Sequence, residues 1–203
     1  MESVSQQLFS KFSYHEFSSF AFLEPLLDTK ARGGVSGRLR WCPHCLDEWR
    51  RNRLDVYYPL YWLAQDAEEC LKYLSRLSAV CPCCTRRSNV ITSSSIQGYC
   101  DYCGEWLGNS SVLDRPSSSS EVWNSHAINL LVQYKYLIQS EDLSTNFRRF
   151  VTELAQVNGC ARHVEKRLRL SESLIKRWRV RNRPKMDRLL DVCHKIDIYP
   201  HEI

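Results

Sequence analysis

Apolar positions along the chain change rhythm three times. Residues 1–40 carry an aromatic stretch, Phe9, Phe12, Phe17, Phe20, Phe22, Leu23, Leu26 and Leu27, followed by the turn-rich Ala31-Arg32-Gly33-Gly34, and read as an entry segment. The cysteine-bearing region runs from Trp41 to about Leu107, a module of residues 41–108. Gly108-Asn109-Ser110-Ser111 and Pro116-Ser117-Ser118-Ser119-Ser120 then form a polar joint that cannot pack a core, placing a linker at 109–120. From Glu121 the spacing turns helical: Val122, Trp123, His126, Ile128, Leu131, Val132 and Leu137 share one side of a helix. A second helix is predicted over Leu143 to Val157, stopped by Asn158-Gly159, residues that tolerate the left-handed cap. Shorter helices follow at 160–168, Ser171 to about Arg181, and Lys185 to Lys195, with Ser171 as an N-cap and Pro184 at the entry to the last. The fold class is therefore mainly α with small zinc-ribbon β elements: a cysteine module, then a helical domain over 121–203.

Ten cysteines change the picture most. No charged n-region followed by an apolar stretch opens the chain, because Phe20 to Leu27 is broken by Glu24 and Pro25, so a cytoplasmic, reducing setting is expected. No run approaches the roughly 18–20 apolar residues of a membrane helix, and no membrane partner is expected. In that setting paired CxxC knuckles read as metal sites rather than disulfides. Cys81-x2-Cys84-x15-Cys100-x2-Cys103 supplies four thiolates at zinc-ribbon spacing, enough for one tetrahedral Zn²⁺. Buried apolar cysteines or a redox pair would not require two facing knuckles. Cys42-Pro43-His44-Cys45 is a third knuckle, with Cys70 as its nearest additional thiol, which leaves a second possible Zn²⁺ site one ligand short; Tyr73, His44, Cys83 or a water are the candidates. Three ligands and an open position also describe a catalytic zinc, but no Glu or His is placed as a general base, so a non-enzymatic role is expected. Cys160 and Cys193 fall on helical segments and read as core residues.

The residues around these cysteines resemble the TniQ family of bacterial transposon target-selection proteins. The resemblance rests on Trp41-Cys42-Pro43-His44-Cys45, Glu48-Trp49, Tyr58-Pro59-Leu60-Tyr61-Trp62-Leu63, Cys70 with Leu77, Cys81-Pro82-Cys83-Cys84, and Gly98-Tyr99-Cys100 through Gly108. It covers most of residues 40–108. Two departures stand out: Tyr73 occupies the place of a family histidine at the first zinc site, and the region before residue 40 is shorter than the family's. The resemblance implies a bacterial protein that selects a transposition target site and recruits the transposon's AAA+ ATPase regulator. Some relatives are attached to an RNA-guided effector complex.

Charge places the DNA contact at the other end. The formal charge of +5 is modest, but basic residues from Arg162 to Arg188 outnumber acidic ones, which are Glu165, Glu172 and Asp187. Ser171-Glu172-Ser173-Leu174-Ile175-Lys176-Arg177-Trp178, preceded by Leu168-Arg169-Leu170 and followed by Pro184, resembles a phage-repressor helix-turn-helix within 160–198. Ile175 and Trp178 sit at core spacing, leaving Ser171, Ser173, Lys176 and Arg177 on the outer face to read double-stranded DNA, with Arg179, Arg181 and Arg183 nearby for phosphates. Arg181 stands where such motifs usually carry a capping glycine. The plain alternative is a helical bundle with a solvated basic face. Two other functional readings compete with the transposition adaptor: a zinc-containing helix-turn-helix transcription regulator, and a protein-interaction adaptor of an RNA-guided complex.

Overall fold

A computed structural model of the chain describes residues 38–89, 95–108, 118–134, 140–180 and 184–203. Most of the entry segment, most of the 109–120 joint, Leu137, Arg181 and Arg183 lie outside the described residues. The fold is mainly helical, and the chain divides into two compact units between Val132 and Gln133. No helix among the described residues is long and apolar enough to cross a membrane.

The first unit is built around α1 (Pro43–Arg51). Cys42 is its N-cap: the backbone is extended there, the sulfur accepts the Cys45 amide at 3.4 Å, and Pro43 takes the first helical position, where a missing N–H leaves nothing unpaired. Leu46 and Trp49 turn inward from α1, and a short 3₁₀ turn, Leu60–Leu63, delivers Tyr61, Trp62 and Leu63 to the same core. Trp49 and Trp62 stack there at 6.1 Å between ring centres. Each fully buried side chain of this size contributes about 1.5–3 kcal/mol. The Arg40 guanidinium donates to the carbonyls of Trp62, Ala64 and Gln65, holding the chain after the 3₁₀ turn in place. The indole N–H of Trp41 donates to the Leu107 carbonyl at 3.0 Å, so the two ends of the cysteine module meet inside the core.

A two-stranded antiparallel sheet, β1 (Glu69–Cys70) and β2 (Ser75–Arg76), pairs Glu69 with Arg76 and Cys70 with Ser75. The other β elements are single bridges, Trp41 with Ser78, Arg38 with Asn89 and Tyr99 with Trp106. Helix α2 (Ser119–Gln133) belongs to this unit up to Val132, where Ser125, Ala127, Ile128 and Leu131 are buried and the Ser125 hydroxyl accepts the Glu69 amide at 3.0 Å. The sequence had put this helix beyond the joint, with the helical domain. Its first turn is a capping box: the Ser118 hydroxyl accepts the Glu121 amide at 3.2 Å, and the Glu121 carboxylate accepts the Ser118 amide at 2.8 Å. Serines that read as linker therefore start a helix.

The second unit holds α3 (Ser140–Val157), α4 (Ala161–Arg167), α5 (Leu174–Val180) and α6 (Met186–Ile196), with a 3₁₀ turn at Pro200–Glu202. Helix α3 buries Phe147, Val151 and Ala155, a stripe at four-residue spacing, and ends where Gly159 takes φ +84. Ile175 and Trp178 of α5 are buried, with Phe147 5.6 Å from the Trp178 ring. The helix expected from Ser171 begins at Leu174, because residues 168–173 form a turn with Arg169 at φ 51 and Ser173 at φ 62. Its cap comes from α4: the Glu165 carboxylate, on a residue 6% exposed, accepts the amides of Ser173 at 3.0 Å and Ile175 at 2.9 Å. Helix α6 buries Met186, Leu189, Leu190, Val192 and Cys193 and closes on Asp197 in the left-handed region.

Candidate metal centre

Two cysteine clusters form in the first unit. Sulfurs of Cys81, Cys84, Cys100 and Cys103 lie within 4.8 Å of one another, and so do those of Cys42, Cys45 and Cys70. Either set can hold a metal ion. A tetrahedral ion with bonds of about 2.3 Å to sulfur spaces its thiolates about 3.8 Å apart. The contacts Cys81–Cys103 at 3.7 Å, Cys84–Cys100 at 3.6 Å and Cys45–Cys70 at 3.6 Å are compatible with zinc on that measure.

One backbone device makes the knuckles. In the second cluster the residue following each CxxC turns into the left-handed region, Thr85 at φ 58 and Gly104 at φ 70, and its amide donates back to the first cysteine's carbonyl, Thr85 to Cys81 at 3.0 Å and Gly104 to Cys100 at 2.9 Å. The first cysteine's own amide then donates five residues on, Cys81 to Arg86 at 2.9 Å and Cys100 to Glu105 at 2.8 Å. The segment starting at Cys70 repeats the turn, with Leu74 at φ 50 and its amide on the Cys70 carbonyl at 2.8 Å. That segment is a knuckle in its backbone, with Tyr73 where the second ligand would stand.

Knuckle amides tune the sulfurs. Burial works to raise the Cys100 thiol, yet the backbone amides of Cys103 and Tyr102, with the Cys84 and Cys103 side chains, bring it down to about 6. In the first cluster Cys42 is held well below the ordinary thiol range by donation from the Cys45 side chain, then that of Cys70, while Cys45 is pushed up first by Cys42 and then by Cys70. Aromatic hydroxyls brace both clusters from behind: Tyr61 accepts the Leu71 amide at 3.0 Å, and Tyr58 accepts the Gly98 amide at 2.8 Å. Gly98 at φ +83 lies flat against Trp106, where an added Cβ would fall 2.2 Å from the ring. No family model matches this chain, and no curated protein matches it.

The ligands read from the sequence, Cys81, Cys84, Cys100, Cys103, Cys42, Cys45 and Cys70, are thus brought together in two groups. The fourth-ligand candidates are not. Tyr73 is 38% exposed and its hydroxyl donates to Glu48 at 3.0 Å, His44 packs its ring on Tyr73 at 5.3 Å, and Cys83 is exposed outside both clusters. What the sequence reading missed is Ser75, a buried hydroxyl 3.6 Å from the Cys42 sulfur. No spacing motif marks it. Cys193 is buried as expected, but Cys160 is exposed, because it precedes α4 as its N-cap rather than lying on an inward helical face.

The DNA-contact candidates belong to the second unit. Ser171, Ser173, Lys176, Arg177 and Arg179 are exposed; the two serines lie in the turn before α5, and the three basic residues are on α5 itself, whose Ile175 and Trp178 are buried. Arg162, Lys166, Arg167 and Arg169 on and after α4 are exposed too, with Arg167 donating to the Asn158 side chain at 3.0 Å.

Proposed function

We propose that this chain is a non-enzymatic, zinc-stapled adaptor that binds duplex DNA and selects a transposition target, bridging that DNA and an AAA+ regulator. Its metal part draws on two thiolate clusters at tetrahedral spacing, a donor set that suits Zn²⁺ and contributes folding energy directly when the ion binds. Its transposition part draws on the TniQ resemblance, whose residues Trp41, Trp49, Trp62 and Leu107 are all buried.

The observation that carries DNA binding is the two-sided α5, with Ile175 and Trp178 inside and Lys176, Arg177 and Arg179 outside. In the proposed helix-turn-helix, Lys176 and Arg177 meet base edges while Arg179 neutralises phosphate. Duplex titration at several salt concentrations tests this. Lys176→Ala or Arg177→Ala costs about 1–3 kcal/mol of affinity on the preferred sequence if the side chain reads a base. Arg179→Ala weakens binding to all sequences alike and lowers the salt slope by about one unit. A folded Lys176→Ala/Arg177→Ala protein with unchanged affinity and slope would leave the basic face as solvated surface.

A further inference from the structure

We propose that the hydroxyl of Ser75 is the fourth donor of the metal site at Cys42, Cys45 and Cys70, making it an S₃O site beside an S₄ site. This rests on the reading that both clusters hold zinc. The argument comes from comparing the two clusters edge by edge. In the second cluster the close contacts join the first cysteine of one knuckle to the second of the other, Cys81 to Cys103 and Cys84 to Cys100. In the first cluster one such edge exists, Cys45 to Cys70 at 3.6 Å. The other would run from Cys42 to residue 73, but the Tyr73 hydroxyl is committed to Glu48. At 3.6 Å from the Cys42 sulfur lies instead the Ser75 hydroxyl, on a residue 1% exposed.

The distance fits a bond to a shared ion. Zinc bonds of about 2.3 Å to sulfur and about 2.0–2.2 Å to oxygen, at the tetrahedral angle, put S and O about 3.5–3.7 Å apart. The register agrees, because Ser75 is the cross-strand partner of Cys70, so the two side chains leave the same face of the sheet. The sheet thus offers one sulfur and one oxygen to the ion, and the start of α1 offers two sulfurs. The oxygen coordinates through a lone pair, and as a donor weaker than thiolate it makes this the more labile of the two sites.

Cobalt substitution of the full-length protein tests the assignment, with circular dichroism as the folding control. Wild type should bind two Co²⁺ per chain, lose one first to a chelator, and show a spectrum that azide does not change. Ser75→Ala should weaken that labile site at least about tenfold and make its spectrum azide-sensitive, because solvent then fills the vacated position. Ser75→Cys, which keeps the size, should add thiolate-to-cobalt charge-transfer intensity and abolish the lability. Tyr73→Phe should leave the spectrum alone. Two ions per chain with a wild-type spectrum already sensitive to azide, or with Ser75→Cys adding no thiolate band, would overturn the serine donor while leaving zinc at both clusters. One ion per chain would instead overturn metal binding by the first cluster and the donor with it. If Ser75→Ala does not fold, the Ser75→Cys spectrum decides.

Discussion

Replacing Glu165 with Ala should loosen α5 without removing any side chain proposed to meet DNA. The Glu165 carboxylate bonds two amides at the start of that helix, and the two bonds differ in weight. Ile175 is fully buried, so its amide finds no water once the carboxylate is gone, and this share is the full value of a charge-assisted bond, about 1.5–3 kcal/mol. Ser173 is exposed, so its amide rehydrates and the loss there is about 0.5–1 kcal/mol. Together they give about 2–4 kcal/mol, at and above the top of the roughly 0.5–2 kcal/mol that an ordinary helix cap contributes, because one of the amides is buried. Hydrogen exchange read by mass spectrometry on peptides covering α5 measures it. At about 1.4 kcal/mol per factor of ten, exchange at α5 amides should speed up about 30- to 700-fold, while amides of α1 keep their protection. Glu165→Gln retains one acceptor oxygen and should fall between. If Glu165→Ala leaves α5 exchange within a factor of two of wild type while Ser171→Ala accelerates it, the cap belongs to Ser171 and the reasoning fails.

The knuckle turns and the thiols supply two further tests. Thr85 is a β-branched residue at φ 58, a conformation glycine takes freely, so Thr85→Gly should stabilise the metal-loaded protein by about 1 kcal/mol in denaturant titrations; Gly104→Ala, at φ +70 with open space around it, should destabilise by a similar amount. Equal shifts of the same sign would refute the shared turn. For the thiols, exposure alone predicts alkylation at Cys83, Cys103 and Cys160, whereas metal ligation predicts Cys83 and Cys160, with Cys103 joining after chelation; mass spectrometry of the alkylated protein separates the two.

Features set by neighbours in sequence were the legible ones. Knuckle spacing fixes which sulfurs can meet, and the structure brings all seven proposed ligands into two clusters. The end of α3 was readable because Asn158-Gly159 suits a left-handed cap, and the burial of Ile175 and Trp178 followed from helical spacing. What escaped depends on residues meeting across the fold. Ser171 has the chemistry of an N-cap, but Glu165 arrives from the preceding helix and outcompetes it with a charge. Ser75 carries no signal until the sheet sets it opposite Cys70. The placement of α2 was half visible: Ser118 and Glu121 spell a capping box, and the run of serines around them hid it, while Ser125 reaching the Glu69 amide could not be foreseen.

The bond between the Trp41 indole and the Leu107 carbonyl has a mechanical consequence. Because the chain enters and leaves the knuckle core at neighbouring points, the core hangs from the backbone as a closed loop, and both clusters lie within it, between residues 42 and 103. A pull between the segment before Trp41 and the segment after Leu107 therefore loads that clasp and its packing first, and reaches the metal–sulfur bonds only after the clasp has opened. A partner tugging on either flank would load the metal sites only after that clasp had given way.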